Sequence, residues 1–135
     1  MNTSMKLAGL ALAAACSAIV LANAADAQVA GRASDRDVIE LTADNFCRSQ
    51  NSPPDVREML NRLRITPASL CQCIVTEVSY SMDRTQLGAD WADFVYRSHA
   101  AGNTQPQNAR DQRAFTAFQN AYGQANRTCA SRLAR

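Results

Sequence analysis

The sequence predicts an all-α fold, a compact single domain of about five helices stapled by two disulfides. Three observations predict it. Apolar residues recur at intervals of three and four in five successive segments, and no segment alternates with period two over a useful length. Those segments open on recognisable helix-start chemistry. The chain also looks exported, and the cysteines left after export are even in number.

Export is argued from the N-terminus of the 135-residue chain. Met1–Lys6 is a short segment with one positive charge, and Leu7–Leu21 is an almost unbroken run of Ala, Leu, Ile and Val. Ala22-Asn23-Ala24 and Ala25-Asp26-Ala27 both have the small-x-small pattern of a cleavage site, and cleavage after Ala27 is favoured over Ala24. The apolar run falls short of the roughly 20 residues of a comfortable membrane span. Cys16 suggests a lipoprotein only as a minor alternative, because Ala13 stands where such signals usually carry Leu. The expected organisation is therefore a signal peptide over 1–27, a flexible lead-in over 28–33 and a helical domain over 34–135. A domain of that size has a modest core, where covalent staples help.

The first helix is expected from Asp35 to about Ser49, with Ile39, Ala43, Phe46 and Cys47 on one face. The second is expected to open at Ser52 as N-cap, with Pro53 and Pro54 in the first turn and Asp55 at the positive end of the helix dipole. Its apolar face is Val56, Met59, Leu60 and Leu63. Thr66-Pro67 repeats the cap-plus-proline signal and opens a third helix to about Ser81. Asp83 and Gln86 resemble a capping box for a fourth, whose inner face is Leu87, Trp91, Phe94, Val95 and Ser98 and whose stop is Gly102-Asn103. The last helix is expected from about Gln107 to Leu133, with Phe115, Phe118, Tyr122, Ala125 and Cys129 in a stripe and most of its arginines turned away.

Without Cys16, the cysteines are Cys47, Cys71, Cys73 and Cys129. Cys71 and Cys73 flank a single Gln72 inside the third helix. Residues two apart on a helix point about 200° apart. Cys71 shares its side with Ile74, Val75, Val78 and Met82, and Cys73 shares the other with Glu77 and Tyr80. Disulfide geometry needs Cβ atoms about 3.8 Å apart, so the two sulfurs cannot join each other there. Each must fasten a different helix. The favoured pairing is Cys71–Cys129 with Cys47–Cys73, since Cys71 and Cys129 both lie on apolar faces. Cys47–Cys71 with Cys73–Cys129 is the alternative, because spacing does not settle connectivity.

Charge adds little. The chain has 14 basic and 12 acidic residues, a net charge of +2, and its pI is about 8.4. Every basic residue except Lys6 is arginine, as a GC-rich genome would also produce. This falls short of a nucleic-acid footprint, and no base-reading motif is present.

The familiar chemistries lack their residues. Redox catalysis wants a thiol of lowered pKa, but Cys71 and Cys73 lie beyond the first helical turn, and the nearest charge, on the Cys73 flank, is Glu77. Two cysteines one residue apart on a helix do not chelate one metal ion, and structural zinc sites space them by two to four. His99 is the only histidine, and there is no G-x-S-x-G elbow. Asp90 and Asp93 are paired carboxylates at i, i+3, a spacing also expected of a solvated face, and Trp91 and Phe94 fit the core. No cofactor and no metal site is expected.

The sequence thus points to an exported, non-enzymatic helical protein, periplasmic or secreted, acting through protein–protein contact or as a structural accessory factor. The expected partner is a protein, with no nucleic acid and no membrane span in the mature chain. Tyr96, Arg97 and His99 on the fourth helix form the candidate binding patch, since Tyr and Arg are enriched at binding hot spots. The C-terminal segment from Thr104, with five Arg against one Asp, is a second surface suited to anionic partners. The alternative is a periplasmic copper-binding or thiol-redox protein using Cys71 and Cys73.

Overall fold

The computed structural model of the chain describes residues 33–134. The expected signal peptide (1–27) and all but the last residue of the expected lead-in (28–33) lie outside the described residues. Five helices follow in order: α1 (Asp35–Gln50), α2 (Pro54–Arg62), α3 (Pro67–Thr85), α4 (Gly88–Ala101) and α5 (Ala109–Leu133). No strand occurs among the described residues.

The start signal acts as expected at α3. The Thr66 hydroxyl accepts a hydrogen bond from the Ser69 backbone N–H at 3.1 Å, with Pro67 in the first turn of α3. At α5 the N-cap is Asn108, whose side-chain oxygen accepts from the Asp111 N–H at 2.9 Å. At α2 the expectation fails. Pro53 holds the cap position without a side-chain bond, and the Ser52 hydroxyl instead donates to the Ser49 carbonyl oxygen at 2.9 Å, closing the turn behind α1.

The expected capping box at Asp83 and Gln86 is also overturned. α3 runs on through Asp83 to Thr85, and Gln86 ends it in the left-handed region at φ 59°. Its N–H bonds the Asp83 carbonyl oxygen, so Asp83 belongs to the last turn of α3 rather than the first turn of α4. α4 begins at Gly88, where an added Cβ would lie 3.0 Å from Ile39 Cδ1, so a close approach to α1 favours glycine. Gly102 closes α4 at φ 65°, as its sequence position suggests.

Four helices form a ring. α1 packs on α3 and α4, α5 packs on the same two, and α3 and α4 make little contact with each other. The core between them contains Ile39, Ile74, Val78, Met82, Trp91, Phe94, Phe118 and Tyr122. Trp91 stacks on Phe118 with ring centroids 4.0 Å apart, and its indole N–H donates to the Thr42 hydroxyl at 3.0 Å. Phe46 and Tyr122 meet edge to face at 4.7 Å, linking α1 to α5.

α2 stands outside the ring. It buries only Leu60, while Met59 and Leu63 of its expected apolar face are exposed. Phe46, expected on the inner face of α1, is likewise 46% exposed despite its contact with Tyr122. Among the described residues no helix is long and apolar enough to cross a membrane.

Candidate functional site

The C-x-C segment is helical, and its two sulfurs fasten different helices. Cys71 bonds Cys47 on α1 with Cα atoms 5.6 Å apart, and Cys73 bonds Cys129 on α5 with Cα atoms 5.9 Å apart. The favoured connectivity is therefore corrected to the alternative. α3 lies between α1 and α5 and is covered on both flanks, so an apolar setting does not tell which neighbour a sulfur meets. The flank of Cys71 faces α1, and that of Cys73, with Glu77, faces α5. Cys47, Cys71 and Cys129 are buried, whereas Cys73 is half-exposed. The Arg132 guanidinium lies 3.8 Å from Cys73 Sγ and donates to Glu77 at 3.1 Å, covering this second staple from α5.

The expected patch on α4 is built differently from its sequence reading. Arg97 does not offer a free cation to a partner. Its guanidinium donates to both carboxylate oxygens of Asp111, and its Nε donates to Asp93 at 2.8 Å. Asp111 is 1% exposed and also accepts from the Asn108 side-chain amide at 3.3 Å. The Arg97 hydrogen bonds hold the Asp111 carboxyl below its ordinary value of 3.8 against the opposing effect of burial. Arg110 adds ion pairs to Asp90 at 2.6 Å and Asp93 at 3.7 Å. The paired carboxylates of α4 thus anchor the first turns of α5. Tyr96 and His99 remain half-buried on α4.

A second surface lies on the seam of α3 and α5. Two adjacent hollows of about 100 Å³ and about 510 Å³ share Ser81, Ala121 and Gln124, so together they form a groove along the seam. Its rim carries Tyr80, which at 63% exposure is the most exposed of the large apolar and aromatic side chains. The Arg84 guanidinium sits 5.8 Å from the centre of that ring. Sequence reasoning placed Tyr80 on the flank away from Cys71, which is where it lies. It gave no sign of the groove, because a hollow between two helices depends on how closely they approach.

Among the described residues no three His, Cys, Asp or Glu side chains are grouped so as to hold a metal ion. Burial pushes the Tyr122 phenol up to about 12, and its hydroxyl, like that of Ser79, has no hydrogen-bond partner among the described residues. In comparisons with known proteins, no family model, no curated protein and no solved structure matches the chain.

Proposed function

We propose that this chain is exported to the periplasm or beyond and acts there as a rigid, non-enzymatic interaction domain. The observation that carries the reading is the pair of staples. Both sulfurs of the C-x-C segment are tied to distant helices, so each has the surroundings of a structural anchor. The carboxylates best placed for chemistry, Asp90, Asp93 and Asp111, are engaged by Arg97 and Arg110. The groove at Tyr80 and Arg84 has the residue types enriched at binding hot spots.

One observation favours a thiol-exchange reading as well. Arg132 beside the half-exposed Cys73 would stabilise a thiolate there if the Cys73–Cys129 bond opened.

Cell fractionation combined with thiol titration under denaturing conditions tests the proposal. The expected result is a processed chain starting at Gln28 in the exported fraction, with no free thiol before reduction and no reduction of insulin disulfides. An unprocessed cytosolic chain, or one that turns over insulin with a thiol donor, would overturn it.

A further inference from the structure

We propose that the α3–α5 groove binds an acidic segment of a partner protein, with Tyr80, Arg84 and Arg113 as its anchors; this rests on the reading of the chain as an interaction domain.

The argument starts from charge. Six of the eleven arginines among the described residues are held by a carboxylate: Arg36 by Glu40, Arg48 by Asp44, Arg62 by Glu58, Arg97 and Arg110 by the α4 aspartates, and Arg132 by Glu77. The other five, Arg57, Arg64, Arg84, Arg113 and Arg127, have no ion-pair partner among the described residues, and of these Arg84 and Arg113 line the groove. The one carboxylate among the lining residues, Glu77, is held by Arg132. The groove therefore offers two uncompensated guanidinium groups, and carboxylate is the planar anion that such a fork matches best among protein groups.

Shape points to a protein segment rather than a membrane surface. The floor is shallow and made of small side chains, with Ala121 buried and Ala117 half-buried. Between Arg113 and Thr128 α5 rises about 22 Å, enough for about six or seven extended residues. Tyr80 stands above this floor as a mostly exposed aromatic, positioned to cover an apolar residue of the visitor. A concave, small-residue floor with cations at its edges suits a chain laid along it, with carboxylates reaching Arg84 and Arg113.

Site-directed photo-crosslinking in the producing cells tests this. The full chain carries Tyr80→p-benzoylphenylalanine, and captured peptides are identified by mass spectrometry. A second chain carries the same photoprobe at Tyr96, on the α4 surface. The expected result is capture from position 80 of a segment rich in Asp and Glu. Adding Arg84→Glu with Arg113→Glu should lower that capture about tenfold or more, while Arg84→Lys with Arg113→Lys retains most of it. Circular dichroism and the intact mass of the disulfide-bonded chain confirm that these variants fold. Capture of lipid alone, of a neutral or basic segment, or of a segment indifferent to charge reversal would overturn the proposal. Capture from position 96 with none from position 80 would overturn the groove and leave the interaction reading standing. No protein captured from either position would overturn both.

Discussion

Asp111, buried at the start of α5, receives both terminal nitrogens of Arg97 from α4. A carboxylate this deep in the protein is tolerated because its oxygens also face the Asn108 amide. The pair fixes how α5 enters the ring after the Gly102–Asn108 connection.

The Arg97 contact depresses the folded-state pKa of Asp111. A depressed carboxylate stabilises the fold above its unfolded pKa, and that contribution fades as pH falls through the folded value. We expect melting temperature to drop on acidification below about pH 4. Asp111→Asn should melt well below the wild type at neutral pH and show a flatter acid limb. An acid limb of unchanged slope in that variant would assign the effect to other carboxylates.

The two staples should differ in lability. The closed loops, with sequence separations of 24 and 56, imply about 3.5 and about 4 kcal/mol by chain entropy, so loop length alone separates them little. Access separates them more, because Cys73 is half-exposed while Cys47 and Cys71 are both buried. Titration with dithiothreitol followed by alkylation and mass mapping should find Cys73 and Cys129 labelled first. Replacing both by Ser should cost about 2–4 kcal/mol in denaturant unfolding. Labelling of Cys47 and Cys71 at lower reductant would contradict the role given to access.

Tyr122 should make the protein base-labile. Its phenol is pushed up to about 12 by burial, so above its ordinary value of 10 the unfolded chain ionises more readily than the folded one. The Tyr122 contribution to stability should be complete below pH 10 and decline between about 10 and 12. Tyr122→Phe removes a hydroxyl that has no hydrogen-bond partner among the described residues. It should leave neutral-pH stability unchanged or raise it by about 1 kcal/mol, and should shrink the alkaline decline. A loss of several kcal/mol on this substitution would indicate a hydrogen bond to that hydroxyl.

Gly102 sits at φ 65° with open space around a prospective Cβ, so any cost of substitution comes from the backbone. Gly102→Ala should destabilise by about 1 kcal/mol and Gly102→Asn by less, measured by chemical denaturation. Equal effects would mean the left-handed residue is not what ends α4.

Much of this architecture was legible because its causes are local. Thr66-Pro67 and Gly102-Asn103 mark helix ends through backbone chemistry that operates within a few residues, and the Phe118–Cys129 stripe carries its own period. The C-x-C geometry followed from helix pitch alone. What escaped depends on neighbours. Met59 and Leu63 have the spacing of a buried face, yet both remain exposed because α2 stands outside the ring. Asp83 and Gln86 matched a start signal, but α3 still had apolar Met82 to bury and ran on past it. Asp111 was only the one acid of an arginine-rich segment, because its role depends on Arg97 of a different helix, and the choice between Cys47 and Cys129 as partner for Cys71 needed the order of helices around the ring.

The two covalent loops abut at Gln72 without overlapping. One closes the chain from Cys47 to Cys71, the other from Cys73 to Cys129. Every connection between helices falls inside one loop or the other, and the two peptide bonds that separate the loops, on either side of Gln72, lie inside α3. A protease that nicks any single inter-helix turn therefore releases no fragment. Such a product would migrate at full mass on a non-reducing gel and separate into pieces only when a thiol is added.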